Sequence, residues 1–503
     1  MTRARVRIDP AFAVGPVHRR VFGSFVEHLG RCVYGGIYEP GHPSADAEGF
    51  RQDVLALVRE LGVTTVRYPG GNFVSGYRWE DGVGPRERRP RRLDLAWRAT
   101  ETNEVGLHEF ARWCELAGTE LMYAVNLGTR GVAEALDVLE YANHPGGTAL
   151  SDARRAHGAD EPFDIRMWCL GNEMDGPWQL GHSTPEEYGR LASQTAKAMR
   201  QVDKDLELVV CGSSGSGMPT FGEWERTVLQ HTYEDVSHIS CHAYYQERDG
   251  DTASFLASGV DMDRFIESVV ATADHVRALV RSEKRIQISF DEWNVWYMDG
   301  EEPGTLDGAE WPEVQHRLEN VYSVTDAVVV GGLLISLLRH ADRVTSASLA
   351  QLVNAIAPIM TAPGGPAWRQ TTFFPFALTS HLARGASLDV RVDVASTTTA
   401  VYGDVPLVDV AATHDEADGS TAVFLVNRSL EESIEVSIEL AASLAGASVE
   451  AVTLHDDDRT AVNTLAAPER VTPAINPTAA LAGSTLTVTL PPVSWTAVSL
   501  ARR

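Results

Sequence analysis

The chain has 503 residues, 44% hydrophobic and 22% charged, a balance that suits a folded protein with a large core and excludes extensive disorder. Its 43 Lys+Arg against 69 Asp+Glu give a net charge of -26, a field that repels nucleic acid and anionic membranes and favours a neutral ligand. Its five cysteines show no CxxC spacing, which argues against a disulfide framework or a zinc site and reads them as small buried hydrophobes.

Residues 3–9 alternate like a strand and are followed by no apolar stretch of signal length, so the start is not read as a secretory signal. With reduced thiols, that reading predicts a cytoplasmic protein. From about residue 20 to 350, short apolar runs alternate with segments of helical periodicity, the pattern of repeated βα units. Eight strands are expected, at 21–29, 64–69, 121–127, 165–170, 206–212, 238–244, 285–290 and 346–352. Helices are expected at 50–61, 107–117, 132–142, 185–202, 262–281 and 324–341. Eight units predict an α/β fold closed as a (β/α)8 TIM barrel. A doubly wound sheet is disfavoured, because the first strand is followed by Glu27-His28-Leu29-Gly30 rather than a glycine-rich phosphate loop.

The basic cluster Arg86 to Arg92 reads as a solvated loop. Gly212-Ser213-Ser214-Gly215-Ser216-Gly217 resembles an anion nest but lacks the lysine and spacing of a P-loop. The apolar run Ala327 to Leu338 is short of the roughly 20 residues that span a bilayer and reads as a buried helix. After Phe373-Phe374-Pro375-Phe376 the period changes to two, which predicts an all-β sandwich. The domains expected are a barrel at 16–375 and a sandwich formed by 1–15 plus 376–503, with the N-terminal strand joining the C-terminal sheets.

Functional residues of a βα barrel gather where strands run into βα loops. Glu27, Arg67, Asn72, Asn126, Asn172, Glu173, His242, Tyr244 and Glu292 fall at such places. Each alone has a plainer reading: Glu173 as a cap, Glu292 as half of a structural ion pair, Arg67 as a pair at the barrel floor, His242 as a core histidine. Together they favour chemistry. Two glutamates at the ends of apolar strands are the equipment for cleaving a glycosidic bond, one protonating the leaving oxygen and one attacking or stabilising the sugar. Trp97, Trp178 and Trp296 are suited to stacking on sugar rings, and Gly70-Gly71 would let backbone approach a ligand. No HExxH or Gly-x-Ser-x-Gly pattern occurs, so neither a metal, nor another cofactor, nor an acyl-transfer serine is expected.

Six motifs in order carry a family likeness. They are Phe22-Gly23-Ser24-Phe25-Val26-Glu27-His28, Val66-Arg67-Tyr68-Pro69-Gly70-Gly71-Asn72-Phe73, Arg92-Leu93-Asp94-Leu95-Ala96-Trp97, Gly171-Asn172-Glu173, Phe290-Asp291-Glu292-Trp293-Asn294 and Ala350-Gln351-Leu352-Val353-Asn354. The chain resembles the α-L-arabinofuranosidases of glycoside hydrolase family 51, retaining glycosidases built on (β/α)8 barrels. The resemblance implies that Glu173 is the general acid/base and Glu292 the nucleophile. It implies that Glu27, Arg67, Asn72, Asn172, Tyr244 and Gln351 shape the furanose pocket, with His242 near the nucleophile and Trp97, Trp178 and Trp296 lining it. The implied substrate is a terminal non-reducing α-L-arabinofuranosyl residue on arabinan or arabinoxylan fragments, and the implied assembly a homohexamer. Ala243 departs from the bulkier or polar residue expected between His242 and Tyr244. An endo-β-glucanase or xylosidase on the same barrel is the enzymatic rival, and a sugar-binding module on an inactive barrel the non-enzymatic one.

Overall fold

A computed structural model describes residues 2–298, 310–444 and 446–501. Eight parallel strands close a barrel in chain order: Gly23–Phe25, Thr65–Tyr68, Glu120–Val125, Met167–Leu170, Glu207–Val210, His238–Tyr245, Gln287–Val295 and Val344–Ala350. All eight expected runs are there, most of them shorter, because βα loops begin before the apolar stretch ends. The first is cut to three residues, with Arg19–Phe22 forming a 3-10 turn. The seventh is longer, so Glu292 stands inside a strand rather than after it. The strands read as unbroken apolar runs because helices cover their outer faces and side chains fill the interior.

The helices expected at 107–117 and 185–202 match Leu107–Ala117 and Pro185–Val202. The second starts sharply because Pro185 sits in its first turn and Thr184 and Glu187 cap each other, a reciprocal arrangement that satisfies two otherwise orphaned N–H groups. The expected apolar helix is Val324–Arg339, buried along its length up to Leu338. Helices Ala149–Ala156, Glu223–Thr232 and Phe373–Leu382 were not foreseen. The last opens on Phe373-Phe374-Pro375-Phe376 and gathers its polar residues Thr379, Ser380 and His381 in one run, so it carries little helical period to read. It packs between Gln52–Leu61 and Val324–Arg339 and completes the helical ring. Its Phe376 meets Phe22 edge to face at 6.4 Å. The domain boundary expected at residue 375 therefore falls within a barrel helix.

Most of the C-terminal strands form two sheets around a separate apolar core, with Ser396–Thr399 and Gly403–Pro406 paired as a hairpin of their own. The N-terminal strand Thr2–Ile8 belongs there, parallel to Ile434–Leu440 and antiparallel to Arg391–Asp393. The second sheet presses on the barrel through Val324–Arg339, where a Cβ on Gly331 would lie 2.1 Å from the Trp495 ring. Beside it Asp409 binds both Arg339 and Arg428. At the barrel floor Arg20 joins Glu120 and Glu207, each at 2.7 Å or closer, so the floor's ion pair belongs to Arg20 and not to Arg67.

Candidate active site

The opposite end of the barrel collects the strand-end carboxylates. Glu292, 5% exposed, has each oxygen held by a donor: Arg67 Nη1 gives to Oε1 at 2.7 Å and the Tyr244 hydroxyl to Oε2 at 2.7 Å. The other Arg67 terminal nitrogen donates to Asn172 Oδ1 at 2.7 Å, and the guanidinium lies 4.9 Å over the Phe25 ring. Asp291 also turns into the barrel. Neighbouring strand residues ordinarily face opposite sides, but the register slips between Phe290 and Trp293, and such an irregularity re-aims side chains. Burial raises the Glu292 carboxyl, and the charge of Glu173 adds to the rise against His242 and Arg67.

His242 joins the two acidic strands. Its Nδ1 lies 2.9 Å from Glu173 Oε1 and 3.6 Å from Glu292 Oε2, and its Nε2 lies 2.9 Å from Asp291 Oδ1. Burial pulls its pKa down, but the Glu292 charge and the bonds to Asp291 and Glu173 outweigh it and lift the group to about 10. The ring is therefore an imidazolium at neutral pH, donating from both nitrogens. Burial likewise pushes Asp291 up, yet Arg67 and His242 hold it below the usual carboxylate range. Arg67 and His242 thus face three carboxyls, with Arg67 bonded to Glu292 and His242 shared between Asp291 and Glu173. Glu173, His242 and Glu292 have ligand atoms within 4.8 Å of one another, but an imidazolium has no lone pair to give, so this donor set does not suit a metal ion.

Glu173 stands in a left-handed turn (φ 42°) after Gly171 (φ 91°). A non-glycine residue there is strained, a feature that clusters at functional sites. The indole N–H of Trp178, itself 48% exposed, donates to Glu173 Oε2 at 2.7 Å.

The third carboxylate, Glu27, accepts from the Phe73 N–H at 2.9 Å, the Trp97 indole at 2.8 Å and Gln351 Nε2 at 3.0 Å. Burial pushes it up to about 8, against the pull of the Phe73 and Trp97 bonds and reinforced by Glu292 and Asp94. Gly70 and Gly71 make this fit possible, since a Cβ on either would lie 2.7 or 2.8 Å from the Glu27 side chain. The glycine pair makes room for Glu27, where the sequence suggested room for a ligand.

These groups surround a cavity of about 410 Å³, within the range of small-ligand sites. Glu27, Asn72, Trp97, Glu173, Trp178, Tyr244, Glu292, Trp296 and Gln351 line it. Arg67, Asn172 and His242 lie beneath, holding the carboxylates in place. Asn126 is apart: its amide closes a local turn with Gly128 and Thr129 and donates to the Tyr77 carbonyl. A larger neighbouring cavity of about 720 Å³ contains neither Glu173 nor Glu292. Sequence reasoning passed over Asp291 and Ser214. Asp291 sits inside the 290–294 run, and its acidity beside Glu292 was the available signal; Ser214 reaches the cavity from the 212–217 loop, whose only signal was its likeness to an anion nest.

Residues 57–251 match the alpha-L-arabinofuranosidase 1 domain and residues 291–494 the alpha-L-arabinofuranosidase C-terminal domain. The chain is 61% identical over its full length to an intracellular exo-alpha-(1->5)-L-arabinofuranosidase of Streptomyces lividans, covering 76% of that protein. It is 59% identical, over 99% of its length and 97% of the relative's, to an exo-alpha-(1->6)-L-arabinofuranosidase of Bifidobacterium longum. A solved family 51 alpha-L-arabinofuranosidase from Bifidobacterium longum superposes with a TM-score of 0.96 at 52% identity, over 99% of this chain and 100% of that one.

Proposed function

This chain belongs to the α-L-arabinofuranosidases of glycoside hydrolase family 51, and on that premise we propose that Glu173 and Glu292 remove terminal α-L-arabinofuranosyl residues by double displacement. The enzyme is an exo-acting, retaining glycoside hydrolase. Glu292 attacks the anomeric carbon while Glu173 protonates the departing oxygen. Glu173 then takes a proton from the water that releases the covalent glycosyl-enzyme. Arg67 and Tyr244 hold the attacking carboxylate through both steps, and bonding to the sugar relieves the cost of keeping Glu292 charged and buried.

The observation that carries this reading is the spacing. One oxygen of Glu173 and one of Glu292 lie within 4.8 Å, in keeping with the about 5 to 5.5 Å between carboxyls of retaining enzymes and short of the roughly 6.5 to 9.5 Å that inverting enzymes need for a water. The remaining lining supports a furanose pocket, with Glu27, Asn72 and Gln351 offering polar contacts to hydroxyls and Trp97, Trp178 and Trp296 apolar walls. The substrates proposed are arabinan and arabinoxylan fragments. Relatives named intracellular support a cytoplasmic site of action, and the family resemblance supports a homohexamer, for which light scattering should give six times 54.8 kDa.

The test is hydrolysis of an aryl α-L-arabinofuranoside with NMR of the first-formed sugar, which should be the α-anomer. Release of the β-anomer first, or hydrolysis of polymeric glucan with the aryl arabinofuranoside untouched, would overturn the reading. Glu292→Ala should abolish turnover. Glu173→Ala should cost on the order of 10²- to 10⁴-fold on poor leaving groups, far less on activated ones, and recover with azide. Assays on α-(1->5)- and α-(1->6)-linked arabinosides decide the preferred linkage.

A further inference from the structure

Glu173 and Trp178 both lie on the segment that leaves the fourth barrel strand, and its turn is closed by the Gly176 N–H donating to the Glu173 carbonyl at 2.8 Å. The turn is tight in two further ways. Glu173 is left-handed, and a Cβ on Gly176 would lie 2.6 Å from the Trp178 ring, so the indole folds back across its own loop to reach Glu173 Oε2. A strained turn keeps such a shape only where its surroundings over-determine it.

The surroundings supply a clamp. Between Glu173 and Gly176, the Asp175 carboxylate reaches the loop that follows the fifth strand. The Ser214 N–H lies 3.2 Å from Oδ1 and 3.0 Å from Oδ2, and the Ser214 hydroxyl donates to Oδ2 at 3.2 Å. That loop is fixed on its other side by the Ser213 N–H donating to Glu225 Oε1 at 2.8 Å and the Gly212 N–H to Ser240 Oγ at 3.0 Å. The nest suggested by the sequence is thus filled by the protein's own carboxylates. Ser214 also lines the catalytic cavity beside Trp178, so the clamp spans its rim on the side of Glu173.

We propose that Asp175 is a positioning residue for the proton-transfer step: by clamping Ser214 it fixes the turn that aims the Glu173 carboxyl and Trp178 at the leaving group. The proposal rests on the assignment of Glu173 as acid/base. Burial and the Glu173 charge raise Asp175 to about 6, with the Ser214 bonds and His242 opposing, so at neutral pH it is charged and its bonds are charge-assisted, the stronger kind. Asp175 does not touch the reacting atoms. Its loss should appear where the leaving oxygen needs a proton and vanish where it does not.

The experiment compares kcat/KM of the full-length wild type, Asp175→Ala, Asp175→Asn and Ser214→Ala on aryl α-L-arabinofuranosides with good and poor leaving groups, with a thermal melt of each. A misplacement near 1 Å costs on the order of 10²-fold, so Asp175→Ala should lose about that much on the poor leaving group and little on the good one. Asp175→Asn retains an oxygen that accepts from Ser214 and should recover most of the loss. Ser214→Ala keeps the main-chain bonds and should show a smaller loss with the same leaving-group dependence. Equal losses on both substrates, no loss on either, or no recovery in a folded Asp175→Asn would overturn the proposal. Should Asp175→Ala fail to fold, Ser214→Ala decides: a loss on the poor leaving group alone supports the proposal, and equal losses or none overturn it. Failure of the Glu173 assignment is distinguishable, because Glu173→Ala would then lose equally on both leaving groups.

Discussion

At the residue scale, the site is a charge balance assembled from three strands. His242 is the hinge of that balance, since its imidazolium bonds Glu173 and Asp291 and faces Glu292. An unfolded histidine titrates near 6.5 and this one near 10, so its contribution to stability is complete below about pH 6.5 and is lost as pH rises through 10. Denaturation midpoints of wild type and His242→Gln should therefore differ most near pH 6 and converge towards pH 10. A constant difference would contradict an imidazolium. Tyr244→Phe removes one of the two close donors to Glu292 but keeps the edge-to-face contact with Trp296, 5.0 Å between centroids. It should lower kcat by about 10²- to 10³-fold, the usual cost of deleting one well-placed donor where charge develops, here on Glu292 as the glycosyl-enzyme breaks down, with its melting temperature little changed. The placing of Glu27, Glu173 and Glu292 round one end of the barrel was legible in the sequence, because several polar residues close behind apolar strands point to one face together where each alone has a plainer reading. The bridging roles of His242 and Asp291 were not, since hydrogen bonds across three strands depend on register.

At the element scale, barrel closure depends on close backbone approach between the first and last strands. Gly23 pairs with Ser348, and a Cβ there would lie 2.5 Å from the Ala347 carbonyl and 3.2 Å from that of Thr65. Gly23→Ala should destabilise by roughly 1–3 kcal/mol, as overpacking does, seen as a lower urea midpoint. The strands were legible because each is a short β-branched or apolar run buried on both faces. Leu107–Ala117 was legible from its one buried face, and Val324–Arg339 from the length of its apolar run. Phe373–Leu382 escaped because its aromatic opening lies buried against neighbours that a single segment does not reveal. The long reading of the first strand failed for a related reason: Val26 and Leu29 are buried in the loop that carries Glu27, not in the sheet.

At the scale of the whole molecule, barrel and sandwich are joined by packing and by a buried ion cluster. Asp409 answers Arg428, which is buried, and Arg339, which also binds Asp263. Asp409→Ala should cost about 3–5 kcal/mol, the usual loss when one partner of a buried pair is removed. In calorimetry it should lower the transition or split it into separate barrel and sandwich events. An unchanged melt would show that Trp495 against Gly331 carries the contact without the charges.

The sequence by itself determined the barrel, the β-rich second unit and the three carboxylate-bearing positions at the strand ends. Period, strand count and short motifs are local properties, and each survives folding unchanged. Only the tertiary structure decided what those carboxylates face. The approach of Glu173 to Glu292, the charge on His242, the burial of Glu27 against two glycines and the grip of Asp175 on Ser214 all arise between segments far apart in the chain. Energies of that kind depend on distances of a few ångströms and on the water excluded around them, and neither is written in any one stretch of sequence.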